Sequence, residues 1–135
     1  MKLTKEVIEE RMLCDFKVET ERFYIEAEGE YFLELNRKIE SGEIDKELQN
    51  EGESEKSLAL REAKKFFEEM PQRRLEFVKK YCEEVNNVIF DSIKNNKLNK
   101  TTGKIMFRML KHFILAAEME ADPETKMVIK QKKKS

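Results

Sequence analysis

An all-α fold is what this 135-residue sequence predicts: a single helical bundle of four or five helices, with a long central helix bent near Pro71. Three observations predict it. Gly and Pro, the residues that interrupt helices, number only 4 and 2. The charged fraction is 41%, well above the usual quarter, and is carried largely by Glu, Lys and Arg, which favour helix. Finally, apolar residues recur in steps of three and four from Leu58 to Ile93, at Ala63, Phe66, Phe67 and Met70, then Leu75, Val78, Cys82, Val85, Ile89 and Ile93. That spacing places them on one helical face.

The elements follow in order. Lys2 to Leu13 is a short amphipathic helix with Leu3, Val7, Ile8 and either Met12 or Leu13 inward and Thr4 as its cap. Asp15 to Glu19 is a break, where Phe16 and Val18 alternate. Thr20 caps a second helix to about Ser41, with Glu19 and Glu21 favourably placed at its positive end. Its inner stripe is Tyr24, Ala27, Tyr31, Leu35 and Ile39, with Phe23 and Phe32 alongside. Gly29 marks a close approach of another helix, and Gly42 stops the element. Acids then dominate a solvated loop at 43–57. Pro71 conflicts with the long helix, because it removes a backbone hydrogen bond and clashes one turn back, so the helix bends or breaks there. Asn95, Asn96 and Asn99 mark a turn. A last helix runs from about Thr101 to Ala121, with Ile105, Met106, Met109, Leu110, Phe113 and Ala117 inward, until Asp122-Pro123 ends it. The expected organisation is a helical domain over 1–121 and a basic, flexible tail over 122–135.

Formal net charge is −1, yet residues 1–70 carry −8 and residues 71–135 carry +7. Such a split suggests two surfaces with different partners, or a dipolar self-association. Cys14 and Cys82 lie on apolar patterns without CxxC spacing, and His112 is the sole histidine, which argues against zinc and for two buried thiols in a reducing cytosol. No apolar run reaches the length of a membrane span, and the N-terminus is too acidic for a signal peptide, so the expected location is cytoplasmic with no membrane partner.

Candidate sites are few. Lys104, Arg108 and Lys111 lie four and three residues apart on one side of the last helix, with Lys100 a turn earlier. From Lys94 to Ala117 there are six Lys/Arg and no acid. Such a single-sign stripe suits phosphates or an acidic protein surface, and Lys132, Lys133 and Lys134 in the tail extend it. It equally suits an ordinary solvated face. Aromatic interleaving is missing, so base stacking is not indicated. Arg73 and Arg74, just after Pro71, suit structural ion pairing with an acidic helix such as Glu26–Glu34. Thr101-Thr102-Gly103-Lys104 lacks the upstream glycine and strand of a phosphate loop. Glu26, Glu28, Glu30 and Glu34, with Glu83, Glu84 and Asp91, are the residues a helical metal-dependent nucleotide pyrophosphatase would need, but charged outer faces produce such sets freely. The sequence therefore assigns no catalytic residue, no cofactor and no metal ligand.

One resemblance goes further. Glu21-Arg22-Phe23-Tyr24 is followed by Glu30-Tyr31-Phe32-Leu33-Glu34-Leu35, and the acidic loop 43–57 comes next. Ala63-Lys64-Lys65-Phe66-Phe67-Glu68-Glu69 leads to Gln72-Arg73-Arg74-Leu75-Glu76-Phe77-Val78, and Met106-Phe107-Arg108-Met109-Leu110 follows a turn. This order resembles the helical A domain of the GINS family of DNA replication factors over about residues 5–117. The motifs are short, Pro71 falls where that family has an uninterrupted helix, and the small β-rich B domain has no counterpart. The resemblance implies a non-enzymatic scaffold that couples the replicative helicase to its partners, assembling as a homo-oligomer or with a paralogous subunit, with weak DNA contact. The alternative is a stand-alone helical adaptor or nucleic-acid-associated regulator, the viral type included, acting through the basic last helix.

Overall fold

The structure, a computed structural model, describes residues 4–43 and 55–122, with side chains from residue 60 onward in the second stretch. It is all-helical there, without strands, in three helices: α1 (Lys5–Ser41), α2 (Glu55–Lys94) and α3 (Lys100–Ala121). The loop expected at 43–57 lies at 44–54 outside the described residues, and so does the tail from Pro123, including Lys132, Lys133 and Lys134.

The break expected at residues 15–19 is helical instead and continues α1, and at Pro71, where a bend or a break was expected, α2 is unbroken. The first has a clear cause. Asp15–Glu19 holds no Gly or Pro, Arg11 pairs with Asp15 one turn on at 3.2 Å, and Phe16 is buried. Alternation of Phe16 and Val18 suggested a break, but only Phe16 faces inward and Val18 is exposed. Thr20, expected as a cap, is a buried mid-helix residue. The ends of α1 and α3 follow local chemistry: Gly42 takes a left-handed φ of 78° after α1, and the Asn99 side chain accepts from the Thr102 N–H at 2.8 Å.

The chain divides into two compact units. One comprises Met1–Glu19 and Pro71–Ser135, so it holds the start of α1, the C-terminal half of α2 and all of α3. Its core is Phe16, Leu75, Val78, Cys82, Ile89, Leu110, Phe113 and Ala117. Phe16 stacks on Phe113 with ring centres 4.1 Å apart and planes 4° from parallel. Val78 is wholly enclosed. Gly103, buried in α3, allows α2 to approach, since a Cβ there would overlap Ile93 Cδ1. The other unit, Thr20–Met70, pairs the C-terminal half of α1 with the N-terminal half of α2. Tyr31 and Phe66 meet at 4.8 Å, and Lys38 reaches Glu62 at 3.7 Å.

Candidate functional site

In the three-helix unit, α2 and α3 leave a groove of about 450 Å³ along their outer seam. Its floor is Cys82 and Leu110, its apolar walls are Phe90 from α2 and Phe107 and Ile114 from α3, and Lys79 and Lys111 stand over it. The Cys82 thiol donates to the Leu110 carbonyl at 3.6 Å, and burial pushes its pKa up to about 11. Cys82 is therefore a packed, un-ionised thiol rather than a nucleophile. Cys14 differs from the sequence expectation, for it is exposed.

The predicted basic stripe borders this groove. Lys100, Lys104, Arg108 and Lys111 are all exposed. Lys100, Lys104 and Lys111 fall within roughly 40° of one another around α3, next to Phe107 and Ile114, while Arg108 lies farther round. Glu83 in the lining and Glu118 on the same flank are the nearby acids. The opposite seam of the unit, between α1 and α2, is acidic. A groove of about 480 Å³ there is lined by Asp15, Glu19 and Glu84 with Tyr81, Val18 and Val88. Burial first, then the Asp15 charge, raises the Tyr81 hydroxyl above its ordinary value.

Arg74 pairs with Glu120 of α3, tying α2 to the last turns of α3. Arg73 is half-buried. The carboxylates considered for a metal do not converge, and among the described residues no group of three or more His, Cys, Asp or Glu is placed to hold an ion. Glu34 instead accepts from Arg37 at 2.6 Å, a bond that, with that charge, lowers its pKa.

The two-helix unit carries a surface that sequence reasoning placed wrongly. Phe32 and Ile39 were expected inside, yet both are exposed, as are Ile25 and Leu33. Ile25, Phe32 and Ile39 recur every seven residues, and Ile25 lies roughly 160° around α1 from buried Ala27. This half of α1 thus has two apolar faces, one against α2 and one bare. Gly29 sits in the bare face, where a Cβ would meet nothing within 4 Å, so among the described residues the close helix approach expected at this glycine is not made. The signal available in the sequence was the heptad spacing 25–32–39, out of phase with 27–31–38. Phe67, assigned to the inner stripe of α2, is likewise 68% exposed.

Comparison with family models, curated proteins and solved structures finds no match to this chain. Among the described residues, no helix is long and apolar enough to cross a membrane.

Proposed function

We propose that this protein is a non-enzymatic helical scaffold that works by binding other proteins through its helix faces, in a GINS-type role that couples a replicative helicase to its partners. The observation that carries the scaffold reading is the bare apolar face on α1. Ile25, Phe32 and Leu33 are each 62–73% exposed on one helix, and large apolar side chains gathered in the open along one element suit an interface. The GINS-type role rests on the residue resemblance alone. In this reading, α2 bends at Pro71, where the Phe67 carbonyl lacks its helical N–H partner and where the two units of the chain meet in sequence.

The test is reconstitution. Purified chain is mixed with the replicative helicase of its own cell, with and without candidate paralogous subunits, and complexes are sized. A stable complex at about 10 μM, corresponding to roughly −7 kcal/mol, supports the role. Failure to bind either component at that concentration refutes the replication assignment.

A second reading is favoured by the exposed Lys100, Lys104, Arg108 and Lys111: a nucleic-acid-associated regulator. Phosphate contacts of this kind weaken steeply with salt. A variant with Lys104, Arg108 and Lys111 changed to Glu keeps the fold, because all three are exposed, and loses duplex-DNA binding if this reading holds. Unchanged binding removes it.

A further inference from the structure

We propose that the protein associates with itself head to tail, the bare α1 face of one copy seating in the α2/α3 groove of the next. The inference rests on the scaffold reading and names a partner for its surfaces, a second copy of this chain.

Shape supports it. The ridge from Ile25 to Ile39 spans fourteen residues, about 21 Å, and the groove from Lys79 to Phe90 spans eleven, about 17 Å. The ridge is a single helix presenting Ile25, Phe32, Leu33 and Ile39, while the groove is an inter-helix seam with Phe90 standing 62% exposed at its wall. Gly29 gives the ridge a notch, open to its full depth, that can receive such a ring without moving backbone. Helix-in-groove recognition works through anchors at this seven-residue recurrence.

Charge fixes which surface meets which. Glu21, Glu26, Glu28 and Glu40 flank the ridge, against Arg22 and Arg37, and Arg37 is already paired with Glu34 and Glu43. The groove has Lys79 and Lys111 over it, with Lys100 and Lys104 beside it, against Glu83 and Glu118. The same bias extends to the whole chain: Thr20–Met70 holds 8 Lys/Arg and 15 Asp/Glu, and the remainder holds 19 and 13. Ridge against ridge would bring acids together, and groove against groove would bring lysines together. Ridge against groove pairs opposite signs around an apolar centre, the arrangement that specifies an interface and its orientation. Because the two surfaces differ, the contact is heterologous, with one ridge and one groove left over at the ends of any open assembly.

The experiment is sedimentation velocity of the full chain over a concentration series at low and moderate salt. The parent is expected to shift from monomer to larger species in the micromolar range, about −8 kcal/mol per contact, and less so at higher salt. Two variants divide the contact. F32D breaks the ridge, and K79E with K111E breaks the groove; each is expected to be monomeric with unchanged helix content, since all three residues lie at or beside the surface. Mixing the two variants is the decisive arm. Each then supplies the half the other lacks, so a 1:1 heterodimer forms and stops. F67S, exposed on α2 and outside both surfaces, serves as a control and should associate as the parent does.

A monomeric parent throughout the series overturns the inference and leaves the scaffold reading to the helicase reconstitution. Loss of association in F32D but not in the groove variant means ridge-to-ridge pairing and overturns it. So does equal loss in F67S, which would mean indiscriminate apolar association. So does a variant mixture that stays monomeric.

Discussion

The two units are built from the same two helices, and they differ in what those helices find to pack against. In the three-helix unit, α3 gives the α2 stripe a second neighbour, and Val78, Cys82 and Ile89 are buried between helices. In the two-helix unit only Thr20, Ala27 and Met70 are buried among the described residues, while Ile25, Phe32, Leu33, Ile39, Leu60 and Phe67 are exposed. A pair of helices presents too little enclosed volume to hide apolar stripes on more than one side. Burial, rather than helix propensity, supplies most helical stability in proteins. The difference teaches that the enclosed core lies in the first unit, whereas the second leaves one face of α1 open.

The largest expected effect separates a phenylalanine of each unit. Phe113→Ala removes a buried ring stacked on Phe16 and should cost about 3–5 kcal/mol in urea unfolding. Phe67→Ala, at an exposed site, should change stability by about 0.5 kcal/mol or less. Comparable losses would mean that the Thr20–Met70 unit holds a core of its own, and the contrast between the units would collapse. Amide exchange sharpens the same point residue by residue. Amides around Val78 and Leu110 should open only with global unfolding, while those around Ile25 and Phe32 should open at lower free energy.

Next in size is a pH effect confined to the three-helix unit. Burial raises the Cys82 pKa from its ordinary 9.0 to about 11, and Tyr81 is raised as well, chiefly by burial. Above pH 9 the unfolded chain gives up its thiol proton before the folded one does. The thiol's contribution is therefore complete below pH 9 and is lost as pH climbs through about 11, by about 2–3 kcal/mol in all. Cys82→Ala should flatten stability over that window relative to the parent, whatever it costs at neutral pH. A parent curve that is level from pH 8 to pH 11 would show that Cys82 is more open to water than its packing indicates.

These contrasts also show what the sequence could and could not reveal. Helix class and the α2 and α3 core positions were legible, because Leu75, Val78, Cys82, Ile89, Leu110, Phe113 and Ala117 obey a single three-and-four period. The join through residues 15–19 was not, because alternation over five residues imitates an extended break when the partner of Phe16 is unknown. In α1 beyond Thr20, two apolar stripes overlap along one helix, so periodicity cannot say which of them meets α2. Phe32 and Ile39 were assigned inward for that reason. The basic stripe on α3 was legible as exposed charge, but its neighbourhood was not, since Lys111 gains its setting from Lys79 and Phe90 on another helix. Without α2 beside it, the stripe reads as nothing more than a solvated face.

The smallest expected effect sets two glycines against each other. Each lies inside a helix, where Ala is favoured over Gly by about 1 kcal/mol. At Gly29 a Cβ meets nothing within 4 Å among the described residues, so Gly29→Ala should stabilise the chain by about that amount. At Gly103 the Cβ would overlap Ile93 Cδ1 and crowd Cγ1 of the same side chain at 3.3 Å, with Ile89 behind it at 3.8 Å. The Ile93 side chain must turn or α3 must shift, and overpacking of this kind costs about 1–3 kcal/mol, enough to cancel or reverse the propensity gain. Gly103→Ala should therefore be neutral to destabilising by about 2 kcal/mol, and adding Ile93→Val should recover part of that by shortening the colliding chain. Equal gains at both positions in thermal unfolding would show that α2 and α3 are farther apart than their packing requires. Opposite signs would confirm that one glycine serves the closed core and the other an open face. If Gly29→Ala also weakens self-association while raising the melting temperature, the notch on the ridge is being used by a partner.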